Sequence, residues 1–294
     1  MGKQQREDLT GQVIIVTGAN SGLGKETAVA LAAMGATVVM TSRSQAKGDE
    51  ARAEVVARSG SDRVVLGRLD LASFSSVRTF AAWFLAEFDR LDVLVANAGL
   101  MVDTRQETAD GFELMMGTNH LGHFLLTDLL RERLMASAPS RVVVVSSIAH
   151  RWALTGQDRS DLQTTQRFTG MRGYGRSKLA NAQFTLELAH QLEGTGVTAN
   201  CLHPGSIYSG FGRDGDTGVL GWFIDTFGRV VLRSAKSGAK TQVMLASSTR
   251  SRVTTSTGAY WSHGIKGRAS RHARNRDEAR WLWEESARIV AETP

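Results

Sequence analysis

Short runs of consecutive apolar residues recur along the chain, separated by longer stretches in which apolar positions return every three or four residues. The runs are VIIVT (13–17), TVVMT (37–41), RVVLG (63–67), DVLVA (92–96), RVVVV (141–145), VTANC (197–201) and GAYW (258–261). Most are unbroken Val/Ile/Leu stretches with no polar alternation. That is the pattern of strands buried on both faces of a parallel sheet. The stretches 22–34, 45–58, 73–88, 108–136, 174–193 and 235–248 read as helices, with Gly35 placed to close the first. Regular β-α alternation predicts an α/β fold, a doubly wound sheet with right-handed crossovers. With 3 Pro and no Ser/Gly-rich linker, no domain boundary is visible, so one domain is expected over 1–294. Three segments break the rhythm. Residues 148–172 form a polar connection, 206–234 are rich in glycine and aromatics, and 276–291 read as an amphipathic helix with Leu282, Ala287, Val290 and Trp281 or Trp283 on its buried side.

Composition narrows the setting. The 294 residues can bury a substantial core, and 42% of them are hydrophobic, as in an ordinary soluble protein. No apolar run approaches the ~18 residues a membrane helix needs, and the polar start MGKQQREDLTG lacks a signal-peptide apolar region. Gly2 invites myristoylation, but Arg6 sits where Ser or Thr is wanted. One cysteine, Cys201, excludes an internal disulfide and fits a reducing, cytoplasmic compartment. The net charge is +6, and Arg250 to Arg276 holds seven Lys/Arg with no Asp or Glu. Without a nucleic-acid motif, that stretch reads as a solvated surface.

The candidate chemistry sits at the ends of the apolar runs. TGANSGLG (17–24) follows the first strand and opens the first helix, with glycines at Gly18, Gly22 and Gly24. Such a turn lets backbone N–H groups of Asn20, Ser21, Leu23 and their neighbours approach a pyrophosphate at a helix N-terminus. The second strand ends in Thr41, Ser42 and Arg43, where NAD-binding folds of this kind carry an acid. An arginine there forms charge-assisted hydrogen bonds with a 2′-phosphate, so NADP is expected rather than NAD. Lys25 is either an assistant or a solvated helix residue. Asp70 and Leu71 leave the third strand, and Asp70 reads as an acceptor for an adenine amino group or as the N-cap of helix 73–88. Asn97, Ala98 and Gly99 leave the fourth strand. Ser146 and Ser147 end the fifth, where a hydroxyl can polarise a carbonyl.

Tyr174 and Lys178 lie four apart in YGRSK, on one helical face. A phenol is a poor proton donor or acceptor at neutral pH. An ammonium about 5 Å away would favour the phenolate by roughly 3 kcal/mol at an effective dielectric of ~20. That makes a tyrosine usable as a general acid/base. Two other constellations are weak: His120 and His123 show no third metal ligand, and Cys201 beside His203 reads as a buried strand thiol.

Taken together, TGANSGLG, Arg43, Asp70, NAG, Asn119, Ser147, YGRSK and HPG resemble the short-chain dehydrogenase/reductase family over residues 10–262. The resemblance implies a single Rossmann domain with a seven-stranded parallel sheet and nicotinamide chemistry. It implies Tyr174 as acid/base, Ser147 as the carbonyl-orienting hydroxyl, Lys178 as tuner of Tyr174 and holder of the nicotinamide ribose, and Asn119 as anchor of a water in the proton relay. Asp70, Asn97 to Gly99, Pro204, Gly205 and Ile207 are implied to line the cofactor. Within the family, TADGFELMMGTNHLGHFLLTDLL (108–130), RSKLAN (176–181), ARWLWEESARI (279–289) and the long Ser147-to-Tyr174 gap are similar to retinol dehydrogenases and the WW-domain-containing oxidoreductase. The chain differs from them at its front, which has neither membrane anchor nor WW modules. It also differs at Ser21, where many NADP-dependent members carry a basic residue, so Arg43 is expected to carry more of the 2′-phosphate contact. Family analogy implies a homo-oligomer formed through the helices after strands five and six.

The expected activity is hydride exchange between NADPH and a lipophilic aldehyde or ketone, or the corresponding alcohol. Tyr208, Phe211, Leu220, Trp222, Phe223, Ile224 and Phe227 are expected to face substrate from a lid over 206–234. Two other readings are an NADP-sensing protein without catalysis, docking through its 250–276 stretch, and epimerisation or dehydration on the same fold. No nucleic-acid partner, membrane insertion or metal is expected.

Overall fold

The computed structural model describes residues 7–205, 207–208 and 233–293. The chain order runs β1 (Val13–Val16), α1 (Gly22–Ala32), β2 (Thr37–Ser42), α2 (Gln45–Ser59), β3 (Val64–Arg68), α3 (Phe74–Glu87) and β4 (Val93–Ala96). A single turn, α4 (Leu114–Met116), leads through a π-turn at Gly117–Leu121 into α5 (Gly122–Ala136). Then come β5 (Ser140–Val145), α6 (Gly170–Gln191), β6 (Val197–His203), β7 (Ile207–Tyr208), β8 (Arg233–Ser234), α7 (Ala235–Ser247), α8 (Ser251–Thr254), β9 (Ala259–Ser262), β10 (Ile265–Lys266) and α9 (Arg276–Glu292).

All seven expected strands form, in the order β9-β6-β5-β4-β1-β2-β3. The sheet has eight strands rather than seven, because β10 adds an antiparallel edge on β9. Two residues, with Ile265 exposed, carry no apolar pattern from which that strand could be read. The other pairings are parallel, with Ile14 beside both Val38 and Val93. Strand order reverses at β1, whose neighbours are β2 and β4. Crevices open at such reversals, outside the carboxyl ends of the strands.

Both faces of the sheet are covered, as the unbroken apolar runs demand. One core joins Ile15, Leu94 and Val144 to Phe80, Phe124 and Phe184; the other joins Ile14, Val38 and Val143 to Leu31, Val55 and Leu245. The expected helix 108–136 is shorter and interrupted. Residues Glu107 and Glu113 bridge as a β-pair, and the Glu113 carboxylate accepts from the N–H groups of Met115 and Met116. The expected helix 174–193 instead starts at Gly170, where the Thr169 hydroxyl accepts from Arg172 N–H. Gly170 and Gly173 hid that extra turn, since glycine is a poor helix former.

The tail helix α9 buries Ala279, Leu282, Ser286, Ile289 and Val290, with Trp281, Trp283 and Ala287 partly buried. The Trp283 ring meets Phe124 edge-on at 4.9 Å and stacks on Phe184 at 5.9 Å. Of the two helices expected to carry self-association, α6 is therefore packed over by the chain's own C-terminus. The expected lid and its aromatic residues lie outside the described residues, apart from the backbones of Ile207–Tyr208 and Arg233–Ser234, which pair as a short parallel ladder. Among the described residues no helix is long and apolar enough to cross a membrane.

Candidate active site

A cleft of about 450 Å³ lies at the carboxyl ends of the strands. Its near end is the loop between β1 and α1. Helix α1 begins after Ser21, whose side chain makes no cap hydrogen bond, so the first N–H groups of the helix are left without a side-chain partner. No acidic residue stands in the first turn. Gly18, Asn20, Ser21, Gly22, Leu23 and Gly24 all line the cleft there. Free N–H groups and the positive helix end form an anion site, so the residues present fit a dinucleotide pyrophosphate. Gly24 is also required by packing: an added Cβ would lie 2.5 Å from Gly18 O and 2.6 Å from Asn97 Nδ2.

Thr17 ties this loop to β4. Its hydroxyl oxygen accepts from the N–H groups of Asn97 and Ala98, each at 2.9 Å, and Asn97 Nδ2 donates to Thr17 O at 2.7 Å. His123, fully buried, bridges Thr17 Oγ1 at 2.9 Å and Asn119 O at 3.1 Å. A carbonyl only accepts, so Nδ1 carries the proton and Nε2 accepts from the threonine hydroxyl. Burial pushes the His123 imidazole down to about 4 and that of His120 to about 3. His120 is bonded to Ser286 Oγ of α9 at 2.9 Å. Among the described residues no group of three or more His, Cys, Asp or Glu could hold a metal ion.

At the other side of the loop, Ser42 and Arg43 line the cleft as expected, joined by Ser44 and Lys47. Lys25 does not join them, because its amine is 2.5 Å from Glu54 Oε2. Asp70 and Leu71 line the cleft, and Asp70 Oδ1 accepts from Ala72 N–H at 3.0 Å. The cap of α3 is Ser73, not Asp70, since Ser73 Oγ accepts from Ser76 N–H. Asn97, Ala98, Gly99, Pro204 and Gly205 also line the cleft. Only the backbone of Ile207 falls within the described residues.

The far end gathers Ser147, Tyr174 and Lys178 on the same cleft. The Tyr174 hydroxyl is hydrogen-bonded to the Ser147 side chain, and burial pushes the phenol up to about 12 against that bond. Its ring packs on Met101, Val102 and Met115. Lys178 Nζ lies 5.6 Å from the ring centroid and donates to Val145 O at 3.1 Å. Burial lowers its amine to about 8. One of the ammonium's donors is thus spent on a carbonyl, and desolvation dominates the Tyr174 phenol. Ser146, read from the sequence with Ser147 as a carbonyl-polarising hydroxyl, instead pins β5 to α6 through a 2.7 Å bond from its hydroxyl to Lys178 O.

Asn119 is fully buried behind the cleft, not on its wall. It sits in the π-turn, a wide turn common at functional sites. Its side chain accepts from Leu100 N–H at 2.8 Å and donates to Leu100 O and to Ser177 Oγ, each at 3.0 Å. A Cβ on Gly99 would lie 3.0 Å from Lys178 Nζ and 3.2 Å from Asn119 Oδ1, so glycine there lets three elements converge. Among the lining residues sequence reasoning missed are Ser44, Lys47, Leu100, Met101, Thr118 and His203. Lys47 had a signal, four residues beyond Arg43 on the first turn of α2. Cys201 is buried with its thiol pushed up to about 12, which rules out an activated nucleophile.

The short chain dehydrogenase family pattern matches residues 12–217. The chain is similar to retinol dehydrogenase 12 of Mus musculus, 43% identical over 283 residues, covering 96% of this chain and 87% of that one. It is 41% identical over 282 residues to retinol dehydrogenase 11 of Homo sapiens, covering 96% and 86%. A crystal structure of an uncharacterized protein from Mycobacterium Paratuberculosis superposes with a TM-score of 0.77 at 34% identity, covering 99% of this chain and 97% of that one.

Proposed function

The chain belongs to the short-chain dehydrogenase/reductase family of oxidoreductases, and from that premise we propose that it reduces lipophilic aldehydes or ketones with NADPH, and oxidises the corresponding alcohols with NADP. The observation that carries this reading is the hydrogen-bonded pair of Ser147 and Tyr174, with Lys178 over the phenol ring, on the cleft that also holds the open N-terminus of α1.

When bound, NADPH supplies the hydride. The N-terminus of α1 would hold the pyrophosphate, and Arg43 with Lys47 would hold the 2′-phosphate. Ser147 Oγ–H orients the substrate carbonyl, and Tyr174 passes its phenolic proton to the carbonyl oxygen as charge develops there. Lys178 steadies the phenolate that results. Asn119 keeps the π-turn and the Leu100 strand end in place, so that Lys178 and Gly99 stay in contact. A lipophilic substrate is supported by the side chains nearest the pair. Leu100 and Met101 line the cleft. Relatives named as retinol dehydrogenases support it from outside this chain.

Tyr174→Phe tests the reading. Against a panel of aldehydes and ketones, turnover should fall by about 10²–10⁴-fold while NADPH binding, followed by fluorescence, stays near wild type. A variant that keeps substantial turnover would overturn the acid/base assignment. NADPH binding by wild type with no oxidation of the cofactor by any carbonyl would favour the non-catalytic sensor instead.

A further inference from the structure

The peptide joining Ser147 to Ile148 is held at both of its polar atoms by imidazole rings from two different elements. His150 Nδ1 lies 2.5 Å from the Ser147 carbonyl oxygen. The Ile148 N–H donates to His203 Nδ1 at 3.2 Å. His150 stands in the 3-10 turn Ile148–Trp152, while His203 is the last residue of β6. A carbonyl only accepts and an amide N–H only donates, so the two rings must be neutral opposites. His150 carries its proton on Nδ1 and leaves Nε2 to accept from Ser270 N–H at 3.0 Å. His203 leaves Nδ1 bare and carries its proton on Nε2. The rings are 0% and 9% exposed. Between them, the Ser147 hydroxyl accepts from Ala149 N–H at 3.2 Å and reaches the Tyr174 phenol.

We propose that His150 and His203 are positioning residues for Ser147, fixing the peptide that follows it so that its hydroxyl stays on Tyr174. This rests on the reading of Ser147 and Tyr174 given above and assigns the support beneath it. His150 carries the hold outward to Ser270, in the segment before α9, so the C-terminal part of the chain braces a hydroxyl at the far end of the cleft. Protonation of either ring would set N–H against N–H, at Ile148 for His203 and at Ser270 for His150. Burial opposes it in both rings and lowers His203 to about 4. The charged and titratable neighbours are Arg151 and Tyr260 beside His150, whose ring is 5.0 Å from that of Tyr260, and His263 beside His203 at 6.3 Å. The clamp is therefore closed at neutral pH.

Asparagine at 203 keeps an acceptor near the Nδ1 position and cannot take up a proton. Leucine removes the acceptor. With decanal and NADPH, His203→Leu should lower kcat about 10- to 100-fold, the scale of a small misplacement of a reacting group. Because His203 also lines the cleft, kcat is compared at saturating NADPH. His203→Asn should recover kcat to within about threefold of wild type. In decanol oxidation the leucine variant should show its pH limb displaced upward, since the phenol loses the Ser147 bond that holds its pKa down. Should the leucine variant not fold, His203→Gln replaces it, because its amide oxygen reaches past the Nδ1 position. Equal kcat in the asparagine variant and in the leucine or glutamine one, whether high or low, would overturn the clamp. Ser147→Ala run alongside separates the two readings. An inactive Ser147→Ala beside a fully active His203→Leu sinks the clamp alone, and an active Ser147→Ala sinks the role of Ser147 and the clamp with it.

Discussion

Replacing Arg43 by leucine asks which dinucleotide the cleft takes. Arg43 leaves β2 with Ser42 behind it and Ser44 and Lys47 ahead, and all four line the same end of the cleft. Lys25 is held by Glu54. On the proposed reading, the 2′-phosphate of NADPH would rest chiefly on Arg43, with Lys47 on the same wall. A hydrogen bond to a charged group contributes about 1.5–3 kcal/mol. Arg43 is exposed, so screening places its share at the low end, about 1.5 kcal/mol, or roughly tenfold in affinity. Lys47 is a point charge without the planar fork, and its removal should cost about threefold. Arg43→Leu should raise KM for NADPH about tenfold and leave KM for NADH unchanged, because NADH has no 2′-phosphate to lose. The gap between variants should narrow in high salt. Parallel initial-rate measurements with the two cofactors read all of this. Equal KM values for NADPH and NADH in wild type, or the same rise for both in Arg43→Leu, would refute the reasoning.

Three further outcomes are expected. Gly24→Ala forces a Cβ within 2.5 Å of Gly18 O, so the loop must shift. Overpacking of this kind costs about 1–3 kcal/mol, and NADPH binding measured by fluorescence titration should weaken at least tenfold. Trp283→Ala removes the ring between Phe124 and Phe184. The loss should be about 2–4 kcal/mol in urea unfolding, less than for a fully buried tryptophan because Trp283 is only partly buried. Alcohol oxidation should accelerate steadily from about pH 6 to about pH 9, because it needs Tyr174 without the proton that a phenol pushed up to about 12 retains. A flat profile over that range, with chemistry shown to limit the rate, would contradict the assignment of Tyr174.

How much was legible follows from what each element buries. Most of the seven strands were readable because the central ones are covered on both faces, which leaves an unbroken apolar signature. β10 was not, because an edge strand of two residues buries almost nothing. The turn Gly170–Gly173 was hidden by glycines that packing requires. A Cβ on Gly173 would lie 2.5 Å from the tip of Met115, and one on Gly170 2.5 Å from Val102 O. Tertiary contact overrode local propensity there. In the site, residues whose type encodes their task, such as the loop glycines, Arg43, Ser147, Tyr174 and Lys178, could be picked out by spacing. Supporting residues could not. Thr17, His123, Ser146, His150 and His203 act through neighbours distant in sequence, and their partners are backbone atoms that leave no compositional mark.

The Tyr174–Lys178 pair shows where spacing stops being a guide. Four residues on one helix do bring phenol and amine to the same cleft, so the geometry follows from the period. The electrostatics do not. At 5.6 Å from the ring centroid, the ammonium offers about 3 kcal/mol toward phenolate at an effective dielectric near 20. It also donates to Val145 O. Burial acts on Tyr174 in the opposite direction and pushes the phenol up to about 12 against the lowering by its Ser147 bond. The resting side chain is thus a protonated phenol, bonded to Ser147 and poised to give its proton up. That is the state carbonyl reduction consumes, whereas alcohol oxidation must first empty it. The same burial that makes Tyr174 a weak acid makes the phenolate costly, so Lys178 matters most as the phenolate forms. Its amine, lowered to about 8 by the same desolvation, regains a favourable charge partner only when the phenolate appears.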